Sequence, residues 1–229
     1  MSIFPSLPID FGPYHVEESL GAGGMATVYR AFDQNRQEWV ALKILHPNFA
    51  AQPAIVQRFQ QEARIAQSLE HAHIVRVIDY GVIDTIPYIA LEYISGGSLM
   101  DRLQQPTRIT LQQAARLLSQ VASGLDYAHR QGIIHRDVKP GNVLLDGQGR
   151  VALTDFGIAR VLDATHLTST GLMPGTPLFM SPEQARGQRD VDERTDVYAL
   201  AVMGYLLATG QHPFTGGRSA GNSQPTSDG

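Results

Sequence analysis

No cysteine occurs among the 229 residues. That absence excludes disulfides, thiolate metal sites and cysteine nucleophiles, and it fits a reducing compartment. An excess of one charge is missing too: 18 basic residues stand against 22 acidic ones, a net charge of −4. No global field draws the chain to nucleic acid or to an anionic membrane, so any phosphate recognition has to be local. No segment approaches the roughly 18 uninterrupted apolar residues of a membrane span. The start, Met1 to Pro13, lacks the basic head and apolar block of a secretory signal. These absences point to a soluble, cytoplasmic chain with no nucleic-acid partner. What is present is globular in character, 43% hydrophobic and 17% charged, and long enough to bury a core in one or two compact units.

The pattern changes along the chain. Residues 1–12 carry prolines and little periodicity, and read as a loose leader. Residues 13–95 read as a small strand-rich lobe, with strand-like runs at Val16–Leu20, Thr27–Ala31, Trp39–Leu45, 74–80 and 86–93. One helix interrupts them, because Ile55, Phe59, Ala63, Ala66 and Leu69 recur at helical intervals as a single apolar stripe. Gly96-Gly97 breaks the strand pattern, and residues 96–215 read as mainly helical, with helices expected at 98–104, 110–130 and 194–209. The last of these is apolar on nearly every side, through Val197, Leu200, Ala201, Val202, Tyr205, Leu206 and Leu207. A polar loop at 135–142 lies between short strands, a further strand at 151–154 leads into Asp155-Phe156-Gly157, and a Thr/Ser/Gly/Pro-rich stretch covers 161–181. Residues 216–229 are polar and read as a disordered tail. The fold class is α+β in two lobes.

The chemistry gathers at a few places. Leu20-Gly21-Ala22-Gly23-Gly24-Met25-Ala26-Thr27-Val28 is a glycine-rich hairpin tip whose main-chain amides can approach phosphate oxygens. A dinucleotide-binding turn would open into a helix, but Thr27-Val28-Tyr29 continues as a strand, which counts against a nicotinamide enzyme. Lys43 ends a Val-Ala-Leu-Lys run whose other members favour burial, so its ammonium needs a nearby anion, and Glu62 on the amphipathic helix is a candidate. A solvated Lys43 and a wet Glu62 would be the plainer reading of either residue alone. In the polar loop, Asp137 can take a proton from a hydroxyl, Lys139 can neutralise a phosphoryl group, and Asn142 offers a hard-cation ligand that Asp155 would complement. His135 follows two isoleucines and reads as packed rather than catalytic. His71 and His73 have no further ligand at useful spacing and read as no metal site.

Taken in order with these separations, Gly21, Lys43, Glu62, Asp137, Asn142 and Asp155 resemble the eukaryotic-like (Hanks-type) serine/threonine protein kinases. The Gly-Gly-Met turn and Ser181-Pro182-Glu183-Gln184 resemble the bacterial branch. The resemblance runs from about Tyr14 to Phe214. It implies a bilobal protein-kinase-like fold, ATP and Mg2+ as cofactors, and serine or threonine hydroxyls of a protein substrate as acceptors. It implies that Leu20 to Val28 close over the phosphates and that Lys43, oriented by Glu62, holds the α- and β-phosphates. Glu92 to Ile94 would form the hinge that pairs with adenine and Leu91 the gatekeeper, with Val28, Ala41 and Leu144 about the purine. Asp155 and Asn142 would bind magnesium, and Asp137 would orient the acceptor hydroxyl. Lys139, and Thr176 after Gly175, mark a serine/threonine rather than a tyrosine enzyme. Arg136 beside Asp137 implies control by phosphorylation, with Thr168 and Thr170 as acceptors and Ser169 behind them.

The chain departs from the family where its catalytic domain ordinarily continues past the position of Phe214 for several more helices. An incomplete large lobe is therefore expected, with Glu183 lacking its usual arginine and the 194–209 helix exposing one apolar side open to self-association. Two functions stand: an active kinase, or a truncated nucleotide-binding regulatory module without productive turnover.

Overall fold

The computed structural model describes residues 3–4, 6–156, 177–188 and 190–214. Six antiparallel strands form one curled sheet: β1 (Ile9–Phe11), β2 (Tyr14–Ala22), β3 (Ala26–Asp33), β4 (Glu38–Leu45), β5 (Val77–Ile83) and β6 (Ile86–Glu92). They lie in the order β1-β2-β3-β4-β6-β5. Alternation fixes which face is buried: in β3, Tyr29 and Ala31 are fully buried between outward-facing Val28, Arg30 and Phe32. The buried face carries Tyr14, Val16, Tyr29, Val40, Leu42 and Ile44. On the outer face the protein's single tryptophan, Trp39, is 40% exposed; Phe32 meets it edge-on at 5.3 Å and the Arg30 guanidinium lies 4.7 Å from its ring.

The leader is not loose where it is described. Its last residues form β1 against β2, and Phe4 packs on Phe11 and Tyr29 at 5.9 and 5.3 Å. Aromatic area outweighs the missing periodicity there. Tyr14 and Tyr88 both donate to Asp79 Oδ2, at 3.1 and 2.9 Å, so a carboxylate is satisfied beneath the sheet edge. Burial, with Tyr88 and Asp79 beside it, pushes the Tyr14 phenol far above its ordinary range.

After a short α1 (Pro47–Ala50), helix α2 (Pro53–Gln67) starts on a proline and lays Phe59 and Ala63 against the sheet. It stops before Leu69, which joins the large-lobe core instead. The strand expected at 74–80 begins three residues late: Ile74 bridges Leu153 and Val75 donates to the Leu153 carbonyl, tying this segment to the large lobe.

Beyond the strands lie α3 (Leu99–Leu103), α4 (Leu111–Arg130), the hairpin β7 (Val143–Leu145) and β8 (Val151–Leu153), α5 (Pro182–Ala185) and α6 (Arg194–Thr209). Ser98, Thr110 and Ser181 each cap a helix in a reciprocal box with the residue three further on. Gly96 permits the crossing from sheet to helices, since a Cβ there would stand 2.3 Å from the Leu145 carbonyl oxygen. Gly124 does the same for α4, which passes the His73 carbonyl where a Cβ would sit at 2.9 Å. No strand forms at Ile133-Ile134; the loop is strand-bound on its downstream side alone.

Helix α6 is not buried all round. Ala199, Val202, Met203 and Leu207 pack inward, whereas Val197 and Tyr205, 57% and 49% exposed, face solvent with Ala201. Glu183 is only partly buried, so a costly enclosed carboxylate does not arise there. Gly157, the 161–176 part of the polar stretch with Thr168, Ser169, Thr170 and Thr176, and the 216–229 tail lie outside the described residues.

Candidate active site

Two charged clusters face the cleft between sheet and helices. The first is built on β4. Lys43 Nζ lies 2.8 Å from Glu62 Oε1 of α2 and 2.8 Å from Asp155 Oδ1 beyond β8. Burial works to lower the Lys43 pKa, but Asp155 and Glu62 outweigh it and hold the ammonium above its ordinary value. The same ammonium holds the Asp155 carboxyl below the usual carboxylate range, against the opposing effect of burial. Glu62 and Lys43 side chains are 13% and 15% exposed, so this is a paired internal charge rather than a solvated surface contact. A cavity behind the pair is lined by Lys43, Glu62, Val75, Leu91, Asp155 and Phe156, among others.

The second cluster is the loop 135–142. Lys139 Nζ sits 2.7 Å from Asp137 Oδ2, and Asn142 Nδ2 donates to the same oxygen at 3.0 Å and to the Asp137 carbonyl at 2.8 Å. His135 is fully buried and faces Phe156 at 4.5 Å between ring centroids. Its Nδ1 accepts the Asp137 N–H at 3.3 Å, which makes Nε2 the protonated nitrogen, donating to the Thr154 carbonyl at 3.1 Å. Burial keeps this imidazole's pKa low and the ring neutral. It is a structural histidine, as its isoleucine neighbours suggest.

Arg136 and Asp155 both hold left-handed backbones, φ 65° and 57°. Neither is glycine, so their surroundings must hold them there. For Arg136 the hold is Asp196 of α6, whose Oδ1 accepts its N–H at 2.7 Å while Oδ2 accepts that of His135 at 2.8 Å. Asp196 is 1% exposed and also meets His129 Nε2 at 2.8 Å. Sequence reading missed this residue. Its signal is a carboxylate in the first turn of an otherwise apolar helix, which burial would forbid without partners.

A hard cation fits between the clusters. With Asn142 Nδ2 and Asp155 Oδ1 engaged, Asn142 Oδ1 and Asp155 Oδ2 have no hydrogen-bond partner among the described residues and can serve as oxygen donors to a cation. Magnesium needs few protein oxygens when phosphates and water complete its shell. His71 and His73 are spent otherwise: His71 stacks on Tyr127, and His73 Nδ1 lies 2.9 Å from the Val151 carbonyl oxygen.

The glycine-rich tip joins β2 to β3 as an exposed hairpin, closed by the Gly23 N–H donating to Ala26 O at 2.8 Å. A Cβ at Gly21 or Gly24 would meet nothing within 4 Å, so the space beside the main chain there is open. Leu20 and Met25 are exposed beside it, while the Thr27 hydroxyl is committed to His46 Nε2 at 2.9 Å. Val28 pairs in register with Lys43, and Ala41 with Leu91. At the end of β6, Glu92 is clamped by Arg150, with Nη1 to Oε1 at 2.6 Å and Nη2 to Oε2 at 3.2 Å, and Arg150 Nε also donates to the Ala72 carbonyl at 2.8 Å. That hydrogen bonding holds the Glu92 carboxyl below its ordinary pKa. Ile94 is buried with Val75 and Ala152, and Leu91 and Leu144 pack on the same cluster. The expected nucleotide-facing residues thus share one end of the cleft, and Arg150 is a support that sequence spacing did not reveal.

A small antiparallel lobe bearing a lysine–glutamate pair, set over a helical lobe bearing an Asp-x-Lys-x-x-Asn loop, defines the class of bilobal protein kinase folds. The model of the protein kinase domain matches residues 14–227, and the chain belongs to that family. It is 41% identical over 214 residues to a serine/threonine-protein kinase of Corynebacterium efficiens, covering 91% of this chain and 41% of the relative. PknA of Mycobacterium tuberculosis H37Rv is 39% identical over 210 residues (90% of this chain, 48% of PknA) and PrkC of Bacillus subtilis 39% over 205 (90% and 32%). The chain therefore spans less than half the length of these curated relatives. Among solved structures, the PknI kinase domain of Mycobacterium tuberculosis matches with a TM-score of 0.71 at 35% identity, over 90% of this chain and 78% of that one.

Proposed function

We propose that the chain transfers the γ-phosphoryl group of ATP to serine or threonine hydroxyls of protein substrates. The carrying observation is the pair of charge clusters, Lys43–Glu62–Asp155 and Asp137–Lys139–Asn142, joined where the Thr154 N–H, next to Asp155, donates to the Asn142 carbonyl at 3.0 Å. Leu20 to Val28 cover the phosphates through open main-chain amides, and Lys43 exchanges part of its contact with Asp155 for the α- and β-phosphates. Asp155 and Asn142 hold magnesium, which neutralises charge on the phosphates. The segment Glu92 to Ile94 pairs with adenine, and Val28, Ala41, Leu91 and Leu144 enclose the purine. Asp137 orients the acceptor hydroxyl and takes its proton, while Lys139 offsets charge on the moving phosphoryl group.

Control by phosphorylation is part of the reading. Among the described residues the Arg136 guanidinium has no hydrogen-bond or ion-pair partner, which suits a group that waits for a phosphate on Thr168 or Thr170. Thr176 is read as contributing to the serine/threonine acceptor site. No described helix is long and apolar enough to cross a membrane, and a cytoplasmic setting is proposed from composition.

The test is incubation with γ-labelled ATP and Mg2+. Label should appear on the chain itself, at Thr168 or Thr170, and on an added protein acceptor, and Asp137→Asn should remove it. Label that survives this change sinks the role of Asp137. Nucleotide binding without any transfer would favour the regulatory module instead.

A further inference from the structure

Gln184, on the short helix α5, uses both ends of its carboxamide. Its Oε1 accepts the Ser181 main-chain N–H at 3.1 Å, and Ser181 Oγ in return accepts the Gln184 N–H at 3.4 Å, which closes the helix cap. Its Nε2 leaves the helix and donates to the Arg136 carbonyl at 2.9 Å. The first contact is local. The second crosses 48 residues of sequence to the catalytic loop.

The Arg136 carbonyl belongs to the peptide that joins Arg136 to Asp137. The N–H of that same peptide donates to His135 Nδ1 at 3.3 Å. Both polar ends of one peptide unit are therefore held by side chains, His135 at one end and Gln184 at the other. The peptide follows a residue with φ 65°, a backbone that relaxes unless its neighbours over-determine it. Asp196 fixes the N–H on the near side of Arg136 at 2.7 Å, and Gln184 fixes the carbonyl on the far side. A rotation of this peptide swings Asp137 away from Lys139 and Asn142.

We propose that Gln184 is a positioning residue for phosphoryl transfer: it holds the Arg136–Asp137 peptide so that the Asp137 carboxylate meets the acceptor hydroxyl, and it ties that pose to the fold of residues 181–185. The inference rests on Asp137 acting as proposed above and goes beyond it, because Gln184 makes its contact with the main chain and not with the Asp137 carboxylate. It also gives the Ser-Pro-Glu-Gln sequence a task besides capping.

Two substitutions separate the two contacts. Gln184→Glu keeps the acceptor for the Ser181 N–H, a position where glutamate caps well, but turns a carboxylate on the Arg136 carbonyl in place of a donor. Gln184→Lys does the reverse: it keeps a donor long enough to reach the carbonyl and loses the cap acceptor. Transfer from Mg-ATP to a general acceptor such as casein is measured for both in the 229-residue chain, with thermal unfolding alongside. The expected result is that Gln184→Glu lowers kcat about tenfold to a hundredfold with KM for ATP little changed, since a misplaced catalytic group costs rate and not nucleotide affinity. Gln184→Lys should stay within about threefold of wild type, a difference well under 1.4 kcal/mol.

The reverse order, with Gln184→Lys impaired and Gln184→Glu normal, overturns the proposal and leaves a helix cap. Equal impairment of both overturns it as well. An inactive wild type defeats the kinase reading and this inference together, whereas an active wild type matched by Gln184→Glu defeats the inference alone.

Discussion

Asp196 accepts the main-chain N–H groups of both His135 and Arg136, at 2.8 and 2.7 Å, from a helix whose other inward residues are almost all apolar. The 135–142 loop therefore hangs from α6, and damage to that helix reaches Asp137 through two hydrogen bonds.

Asp196→Ala strips the partner from two buried N–H groups, each costing about 1–3 kcal/mol when left unmade. Its melting temperature should fall by several degrees and turnover at a permissive temperature by about a hundredfold or more. A stable Asp196→Ala variant with normal kcat would show that the loop is held some other way.

Lys43→Met removes the cation from between two carboxylates, Glu62 and Asp155, each 2.8 Å from its nitrogen. The like charges left behind repel. Loss of phosphoryl transfer by a factor of about a thousand is expected, with weaker ATP binding seen in calorimetry. Glu62→Gln keeps a hydrogen-bond acceptor for Lys43 and should be milder in both measurements.

The buried, neutral His135 makes stability depend on acidity. Its pKa is lowered by folding, so the unfolded chain takes up this proton first as pH falls below about 6.5. Its contribution is intact above that value and is lost downward until the folded pKa is reached, by at most about 1.4 kcal/mol per pH unit. His135→Phe, placed against Phe156, should flatten the decline in denaturation midpoint between pH 7 and 5 relative to wild type. An unchanged slope would move the effect to another group.

Arg150→Gln releases the Glu92 clamp. The pair is about two-thirds buried and bidentate, so a loss of about 1–3 kcal/mol is expected, together with a raised KM for ATP at nearly constant kcat. Because folding lowers the Glu92 pKa, its share of stability is present above about 4.3 and lost as pH falls through the folded value. The two proteins should converge in stability at strongly acid pH.

The outer stripe of α6, with Val197 and Tyr205 at 57% and 49% exposure, should bind a hydrophobic dye and favour self-association. Tyr205→Glu should lower dye fluorescence and the apparent mass in light scattering. A dye-silent wild-type monomer would mean the stripe is covered.

Much of this arrangement was legible because its signals are local. Strand alternation in β3 and β4, the stripe Ile55–Phe59–Ala63, and the spacing of Asp137, Lys139 and Asn142 are all read within a few residues. What escaped was set by distant partners. Phe4 looks like part of an irregular leader until Tyr29 and Phe11 supply rings to pack on, and Ile74 looks like the start of a strand until Leu153 claims it. Asp196, Gln184 and Arg150 act by hydrogen bonds across 60, 48 and 58 residues, to main chain or to the Glu92 carboxylate, and periodicity carries no trace of such contacts.

Trp39 stands alone of its kind, on the outer face of the small sheet, under Arg30 and beside Phe32. Intrinsic fluorescence excited at the indole band is therefore a local gauge of one lobe. Circular dichroism at the helical wavelengths is weighted towards the other lobe, through α4 and α6 with 20 and 16 residues against 15 in α2. A thermal scan recorded by both methods measures whether the lobes melt as one unit, and a gap between the two curves that closes on adding Mg-ATP would report nucleotide bridging the cleft without any assay of phosphate transfer.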